Sequence, residues 1–261
     1  MFNHELMAAV EMASRYYMTE LTKGVGKGQD QARFYISDRR LFLPMVETFR
    51  IGYSPKSPPN RPWILARFNM EEQLLIEAGI LNRAEDGRLY DPMEGRLVFP
   101  QVNPSGKYLG FVGRVLPGVT GKDKYLSTGT TPIFRRAEVL YRIDKSRPHI
   151  EAANVVIVVE GLLDAALMFQ VGMRHVVATG TKAMTDAQAQ ILQRYAKVLQ
   201  VMFDNNEAGK AGYEDVRRRR GGYFQRVDRF AYPAKFDDPA EWVANRIDSA
   251  ISSQGAALTI S

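Results

Sequence analysis

Cysteine is absent from the 261 residues, and that absence removes disulfide frameworks, cysteine zinc ribbons, thiolate iron–sulfur centres and cysteine nucleophiles together. A reducing compartment is compatible with it. Histidine occurs only at positions 4, 149 and 175, too scattered to suggest a metal site. There is no Gly-x-Ser-x-Gly elbow, and Gly118 to Asp123 lacks the Gly-Lys-Ser/Thr ending of a phosphate-binding loop. Long apolar runs are also missing. The longest, Val155 to Val171, is interrupted by Glu160, Asp164 and Gln170, and the opening MFNHEL has neither a basic start nor a long apolar stretch. The expectation is a soluble, cytoplasmic-type protein with no membrane partner.

What is present suffices for a folded core: 45% of residues are hydrophobic and 25% charged, which suits one large or two modest domains. The charge is unevenly spread. Residues 1–150 carry 22 Lys and Arg against 16 Asp and Glu, whereas residues 151–261 carry 13 against 13. With a pI near 9.4, the basic excess of the first part favours a polyanionic partner.

The pattern divides at the same place. The first hundred residues read as short helices, about Glu5 to Leu21, Gln29 to Ile36 and Met70 to Ala78, joined by irregular segments. The Gly-x-Gly-x-Gly of Lys23 to Gly28 follows a helix instead of a strand, so it lacks the setting of a dinucleotide fingerprint and reads as a flexible loop. Pro55, Pro58, Pro59 and Pro62 predict an extended connector. Leu97 to Val102 and Tyr108 to Leu116 are β-rich runs around Asn103-Pro104-Ser105-Gly106, a hairpin signal.

From Val155 the chain alternates strand and helix: 155–159, 162–170, 175–179, a helix capped by Thr185, 198–203, about 208–219, 226–232, and a short helix from Asp238-Pro239. This predicts an α/β fold, an α+β first part followed by a mostly parallel sheet with helices on both faces. Ligands of such sheets collect beyond the carboxyl ends of the strands. Glu160, Asp204 and Asp238 fall there, and carboxylates without nearby His or Cys suit Mg²⁺, with Mn²⁺ as a second choice. Singly, each acid has a plainer reading: Asp164 suits a helix N-terminus, Asp238 an N-cap and Asp204 a turn. Glu160, directly after five branched apolar residues, is harder to explain that way. Arg217 to Arg220 fits either helix-dipole compensation on a solvated face or a phosphate patch.

The segments VVEGLLDAA (158–166), ATGTKAMT (178–185) and FDNNEAGKAG (203–212) resemble the TOPRIM domain shared by DnaG-type primases, type IA and type II topoisomerases and some nucleases. Upstream, FYISDRRLFLPMVETFRIGYSP, LVFPQVNPSGKYLGFVGRVL and KYLSTGTTPIFRRAEVLY are similar to the basic N-terminal subdomain of the bacterial DnaG-type primase core, a block that topoisomerases lack. The likeness spans roughly residues 5–247. It implies a basic subdomain at 1–150 and a TOPRIM metal-binding subdomain at 151–261 with a truncated C-terminal helix.

By that resemblance Glu160, Asp204 and Asp238 are catalytic and hold Mg²⁺ (or Mn²⁺), with Asp164 and Asn206 completing the metal set. Arg39, Arg96, Arg114, Lys124 and Arg136 line the nucleotide and template groove. The implied activity is primer synthesis: a DNA-dependent RNA polymerase using nucleoside triphosphates on single-stranded DNA, with a separate zinc-binding module and a replicative helicase as partners. Three departures stand out: Asn206 and Ala240 occupy positions where the family has acids, and Arg40 replaces a small residue. Two rivals stay in play: a TOPRIM nuclease using the same acids to activate water, because metal geometry alone does not distinguish the two reactions, and a non-catalytic single-strand-binding or priming-accessory module, motivated by Asn206 and Ala240.

Overall fold

Apolar spacing explains the first helix. In α1 (Phe2–Lys23) the buried positions Leu6, Ala9, Val10, Ala13, Tyr16 and Tyr17 recur at three- and four-residue intervals and form one face. The computed structural model describes residues 2–57, 70–181 and 183–258, so Pro58, Pro59 and Pro62 of the expected connector lie outside the described residues. The chain separates into two units: one comprises the residues up to Asp38 together with Phe42–Val139, the other Arg39–Leu41 together with Leu140 onward.

In the first unit α1 is followed by α2 (Lys27–Asp38), α3 (Leu43–Phe49) and α4 (Glu72–Glu77). A four-stranded antiparallel sheet has the order β1 (Gly52–Tyr53), β4 (Arg96–Val102), β5 (Tyr108–Val115), β6 (Tyr125–Ser127), while β2 (Asn82–Arg83) and β3 (Leu89–Tyr90) form a small separate pair. The β4–β5 hairpin turns where expected: Asn103 Oδ1 accepts from the Ser105 and Lys107 amides, and Gly106 takes the left-handed conformation, φ +78°. Helix α1 packs on β5 and β1, with Tyr17 edge-on to Phe111 at 5.3 Å.

The Lys23–Gly28 segment is not a loop throughout. Only Gly24 to Gly26 are non-helical; Gly28 lies in α2, where an added Cβ would stand 2.2 Å from the Tyr53 hydroxyl oxygen. The glycine serves close packing. Arg33 fastens the two helices by donating to the carbonyls of Leu21 and Gly24, acceptors that the end of α1 leaves open.

The second unit starts before residue 150. Helix α5 (Ile143–Ala153) belongs to it because Ile143 and Ile150 enter its core and the Ser146 hydroxyl donates to the Val176 carbonyl. Strands β7 (Val155–Val159), β8 (Val176–Ala178), β9 (Val198–Val201) and β10 (Arg226–Arg229) are all parallel, in the order β10-β9-β7-β8. Their connections run through α6 (Leu162–Gln170), α7 (Asp186–Leu192) and α8 (Glu207–Arg220). The chain steps one way from β7 to β8 and the other way from β8 to β9 and β10. Right-handed crossovers therefore put α6 on one face and α7 and α8 on the opposite one. Thr185 caps α7 in a reciprocal pair with Gln188.

The final helix, α9 (Pro239–Leu258), runs for 20 residues and packs on α6. It is longer than the short helix expected there: the Ala- and Ile-bearing sequence after Pro239 contains no further proline to stop it, and Asp238 Oδ1 accepts from the Glu241 amide at its start. Among the described residues no helix is long and apolar enough to cross a membrane.

Asp91 is a buried acid that periodicity could not reveal. The Tyr17 and Ser54 hydroxyls donate to its Oδ2 at 2.7 and 2.6 Å, and the Met93 amide donates to its Oδ1 at 2.7 Å. Burial nevertheless outweighs these bonds and raises its pKa from 3.8 to about 6. Because the folded value lies above the unfolded one, protonation favours the fold. The stabilisation is complete below the unfolded value and is lost as pH rises through about 6. Relative to Asp91→Asn, which does not titrate, the wild type should lose about 2–3 kcal/mol of stability between about pH 4 and pH 7. Urea unfolding of both proteins across that range measures this, and parallel profiles would refute it.

Candidate functional site

Strand order places the acids. Beyond their carboxyl ends, β7 leads through α6 toward one side of the sheet and its neighbour β9 leads through α8 toward the other. Connections diverging from adjacent strands open a crevice between them. Glu160 follows β7 directly, and Asp204 stands just beyond β9. Asp238 ends the loop after β10, the neighbour of β9 on its far side. Adjacent strands are about 4.8 Å apart, so three consecutive strand ends deliver acids to one edge. All three are half-buried.

Two glycines explain the local backbone. A Cβ on Gly161 would lie 2.4 Å from Asp164 Oδ2, the oxygen that accepts the Gly161 amide proton at 3.2 Å. Asp164 thus caps α6, as its plainer reading had it, and also faces the other acids. A Cβ on Gly209 would lie 2.1 Å from the Asp204 carbonyl oxygen, so α8 can begin against Asp204 only with glycine there.

Asn205 was not singled out in the sequence, yet it joins two acid-bearing loops. Its amide donates to the Asp237 carbonyl at 2.9 Å and its side chain to the Phe236 carbonyl at 3.0 Å. Tyr232 was missed as well. Its hydroxyl donates to the Phe203 and Asp237 carbonyls, and its ring stacks on Trp242 at 6.0 Å. The side-chain amide of Asn205, sandwiched between Asp204 and Asn206 in the acidic motif, was the available signal.

The acids register one another's charge. Burial, then Asp238 and Asp204, push Asp164 up to about 7, against the pull of the Gly161 amide and of Arg39. Burial followed by Asp204, Asp238 and Asp164 raises the Tyr232 phenol well above its ordinary value. Among the described residues, no group of three acids or imidazoles stands close enough together to hold a metal ion as placed. The donor set fits a hard divalent cation through its oxygen chemistry and through mutual repulsion that such an ion relieves. Asn206 Oδ1 accepts from the Gly209 amide at 2.9 Å as the N-cap of α8, and Ala240 is buried in α9 with no donor to offer.

The cations fall into separate groups. Arg39 belongs to the second unit, where its charge acts on Asp164. Arg114 on β5 pairs with Leu97 and Tyr125, whereas Arg96 on β4 pairs with Val115. Successive residues of a strand face opposite sides, so Arg114 and Tyr125 share one face of the sheet and Arg96 leaves by the other. Lys124 joins the Arg114 group, its Nζ 5.9 Å from the Tyr125 ring. Arg96 donates to the Asp123 carbonyl and lines a cleft of about 800 Å³ with Tyr90, Glu94 and Lys122. Arg136 opens a 3-10 turn (Arg136–Glu138), where burial lowers its pKa. At the end of α8, Arg217 pairs with Glu214, Arg219 with Asp215, and Arg220 with Asp215 and Asp186. Three of that run's four arginines are thereby engaged with acids of their own unit.

Two family descriptions match the chain: "DNA primase catalytic core, N-terminal domain" over residues 16–147 and "Toprim-like" over residues 157–243. A DNA primase of Deinococcus radiodurans is 36% identical over 177 residues, covering 67% of this chain and 31% of its own length. The RNA polymerase domain of Mycobacterium tuberculosis primase DnaG aligns with a TM-score of 0.81 at 25% identity, covering 95% of this chain and 81% of that one. A DnaG primase catalytic domain solved bound to single-stranded DNA gives a TM-score of 0.78 at 25% identity, covering 98% of this chain and 79% of its own. This chain spans about a third of the length of the curated relatives it matches.

If the sheet edge binds a divalent cation, Mg²⁺ must stabilise the folded state. At about 100 times its dissociation constant the gain is about 2.7 kcal/mol, or a rise of about 5–10 °C in thermal midpoint for a protein of this size. Wild type should show that rise, and Asp204→Asn and Glu160→Gln less than half of it. An equal magnesium response in all three would remove the cation from this edge.

Proposed function

This chain belongs to the bacterial DnaG-type primase family, and on that premise we propose that it is the catalytic core of a primase, a DNA-dependent RNA polymerase that makes short RNA primers on single-stranded DNA in the cytoplasm. The observation that carries the reading is that Glu160, Asp204 and Asp238 each follow one of the neighbouring strands β7, β9 and β10, at the edge where these strands end side by side. Phosphoryl transfer asks little covalent chemistry of a protein and much positioning and charge. A ribonucleotide 3′-hydroxyl attacks the α-phosphorus of the incoming nucleoside triphosphate. The new O3′–P bond forms as the bond to the β-phosphate oxygen breaks, and pyrophosphate leaves.

Glu160, Asp204 and Asp238 are the residues that would hold Mg²⁺, or Mn²⁺ in its place, which when bound neutralises phosphate charge and eases deprotonation of the hydroxyl. Asp164, capping α6 beneath them, keeps Gly161 and hence Glu160 in place. Arg39 contributes positive charge at the same edge. Arg114 and Lys124, with the Tyr125 ring beside both, suit nucleotide and template phosphates, a role that Arg96 and Arg136 share from other positions. The similar structures, the RNA polymerase domain of one primase and a primase catalytic domain bound to single-stranded DNA, support this reading. A zinc-binding module and a replicative helicase are the proposed partners.

Incorporation of radiolabelled nucleoside triphosphate on a single-stranded template, with Mg²⁺ and Mn²⁺ compared, is the test. Glu160→Gln and Asp238→Asn should each lower incorporation by about 100-fold or more while leaving DNA binding within about threefold. Unchanged extension by Glu160→Gln defeats the assignment. Degradation of DNA without nucleotides would replace it with a nuclease. Binding without incorporation by the wild type would favour the accessory module, for which the capping role of Asn206 and the burial of Ala240 speak.

A further inference from the structure

Arg114 is 7% exposed, yet its Nε and Nη1 have no hydrogen-bond partner. Its guanidinium carbon lies 4.4 Å from the centre of the Tyr35 ring and 5.9 Å from that of Tyr125. The two rings arrive by different routes. Tyr125 is the cross-strand partner of Arg114 on β6, whereas Tyr35 comes from α2 and is itself 5% exposed. Helix α2 is anchored in turn by Arg33 on the end of α1 and by the Gln29–Glu20 hydrogen bond.

A guanidinium with aromatic contact and unpaired N–H groups is half satisfied. The ring supplies attraction for the positive charge, but buried N–H groups without acceptors are costly. Phosphate oxygens are acceptors that the directed N–H groups of a guanidinium engage better than the point charge of a lysine does. Tyr35 is the nearer ring and stands on a fastened helix, so it is the group able to fix the plane of the guanidinium.

We infer that Tyr35 is a positioning residue, holding the plane of the Arg114 guanidinium so that its N–H groups donate to phosphate oxygens of the bound nucleic acid or nucleotide. The inference rests on the primase reading and adds to it a residue absent from the basic set read in the sequence. Tyr35 acts through Arg114 and does not itself touch the phosphate. Its hydroxyl is not required; the electron-rich face is.

The test replaces Tyr35 by Phe, which keeps the face, and by pentafluorophenylalanine, which keeps ring shape and burial but inverts the electrostatics of the face. Two measurements separate the sources of phosphate: fluorescence anisotropy of a dye-labelled single-stranded oligonucleotide without nucleotides, and KM for nucleoside triphosphate at saturating template. Tyr35→Phe should stay within about twofold of wild type, and the fluorinated ring should weaken one of the two by about tenfold with kcat unchanged. A change in oligonucleotide affinity assigns the phosphate to the template backbone; a change in KM assigns it to the triphosphate. A merely structural ring would move thermal stability and neither of these. Tyr35→Leu in an Arg114→Ala background should add no further loss, because the cation through which the ring acts is already gone. Equal affinity and KM for the Phe and fluorinated proteins overturn the inference and leave the primase reading intact. A wild type that neither binds the oligonucleotide nor incorporates nucleotide overturns both.

Discussion

Burial of Asp164 beside Asp204 and Asp238 places negative charge where water screens it poorly, and the surrounding backbone is built to hold that arrangement. Left alone, such a cluster would push its loops apart. Asn205 clamps the segment bearing Asp204 to the one bearing Asp238 through two backbone carbonyls. Gly161 and Gly209 let helices begin within contact of the acids, and Tyr232 is pinned between the Phe203 and Asp237 carbonyls. These contacts cost nothing in charge, so the repulsion remains available to be relieved by a cation from solution.

The sheet edge was legible in the sequence because the branched apolar run 155–159 and the glutamate after it leave few other readings. Parallel order could be expected from the alternation of strand and helix. Which strands are neighbours could not: the adjacency of β7 and β9 in the order β10-β9-β7-β8 is what brings Glu160 and Asp204 to neighbouring strand ends. The strands themselves end earlier than the apolar runs, since residues such as Met202, Phe203 and Tyr232 bend away to build loops while staying buried. Periodicity registers burial there and cannot register the bend.

The basic residues taught a different lesson. Composition correctly located the positive excess in the first part, but charge counting carries no information on facing. Arg96 and Arg114 sit on paired strands and point to opposite sides, a consequence of hairpin register that a one-residue change would reverse. Tyr35 escaped notice for the same reason: its partner, Arg114, lies far along the sequence and is brought to it by the fold alone. The Arg217–Arg220 run, prominent in the sequence, is largely occupied with acids on its own helix.

Arg39, Arg40 and Leu41 give the chain an unusual connectivity. They are embedded among residues made a hundred or more positions later: Arg40 forms an ion pair with Asp248 at 2.7 Å and its carbonyl accepts from the Gln170 side chain at 2.8 Å. The polypeptide therefore crosses between its units three times, and neither unit is a contiguous stretch that recombination could exchange whole. A fragment starting at Leu140 would inherit the carboxylates but forfeit Arg39, whose charge acts on Asp164. During translation the early tripeptide must wait until residues 208 positions later have been made before its ion-pair partner exists, so this part of the second unit cannot be assembled as the chain first emerges.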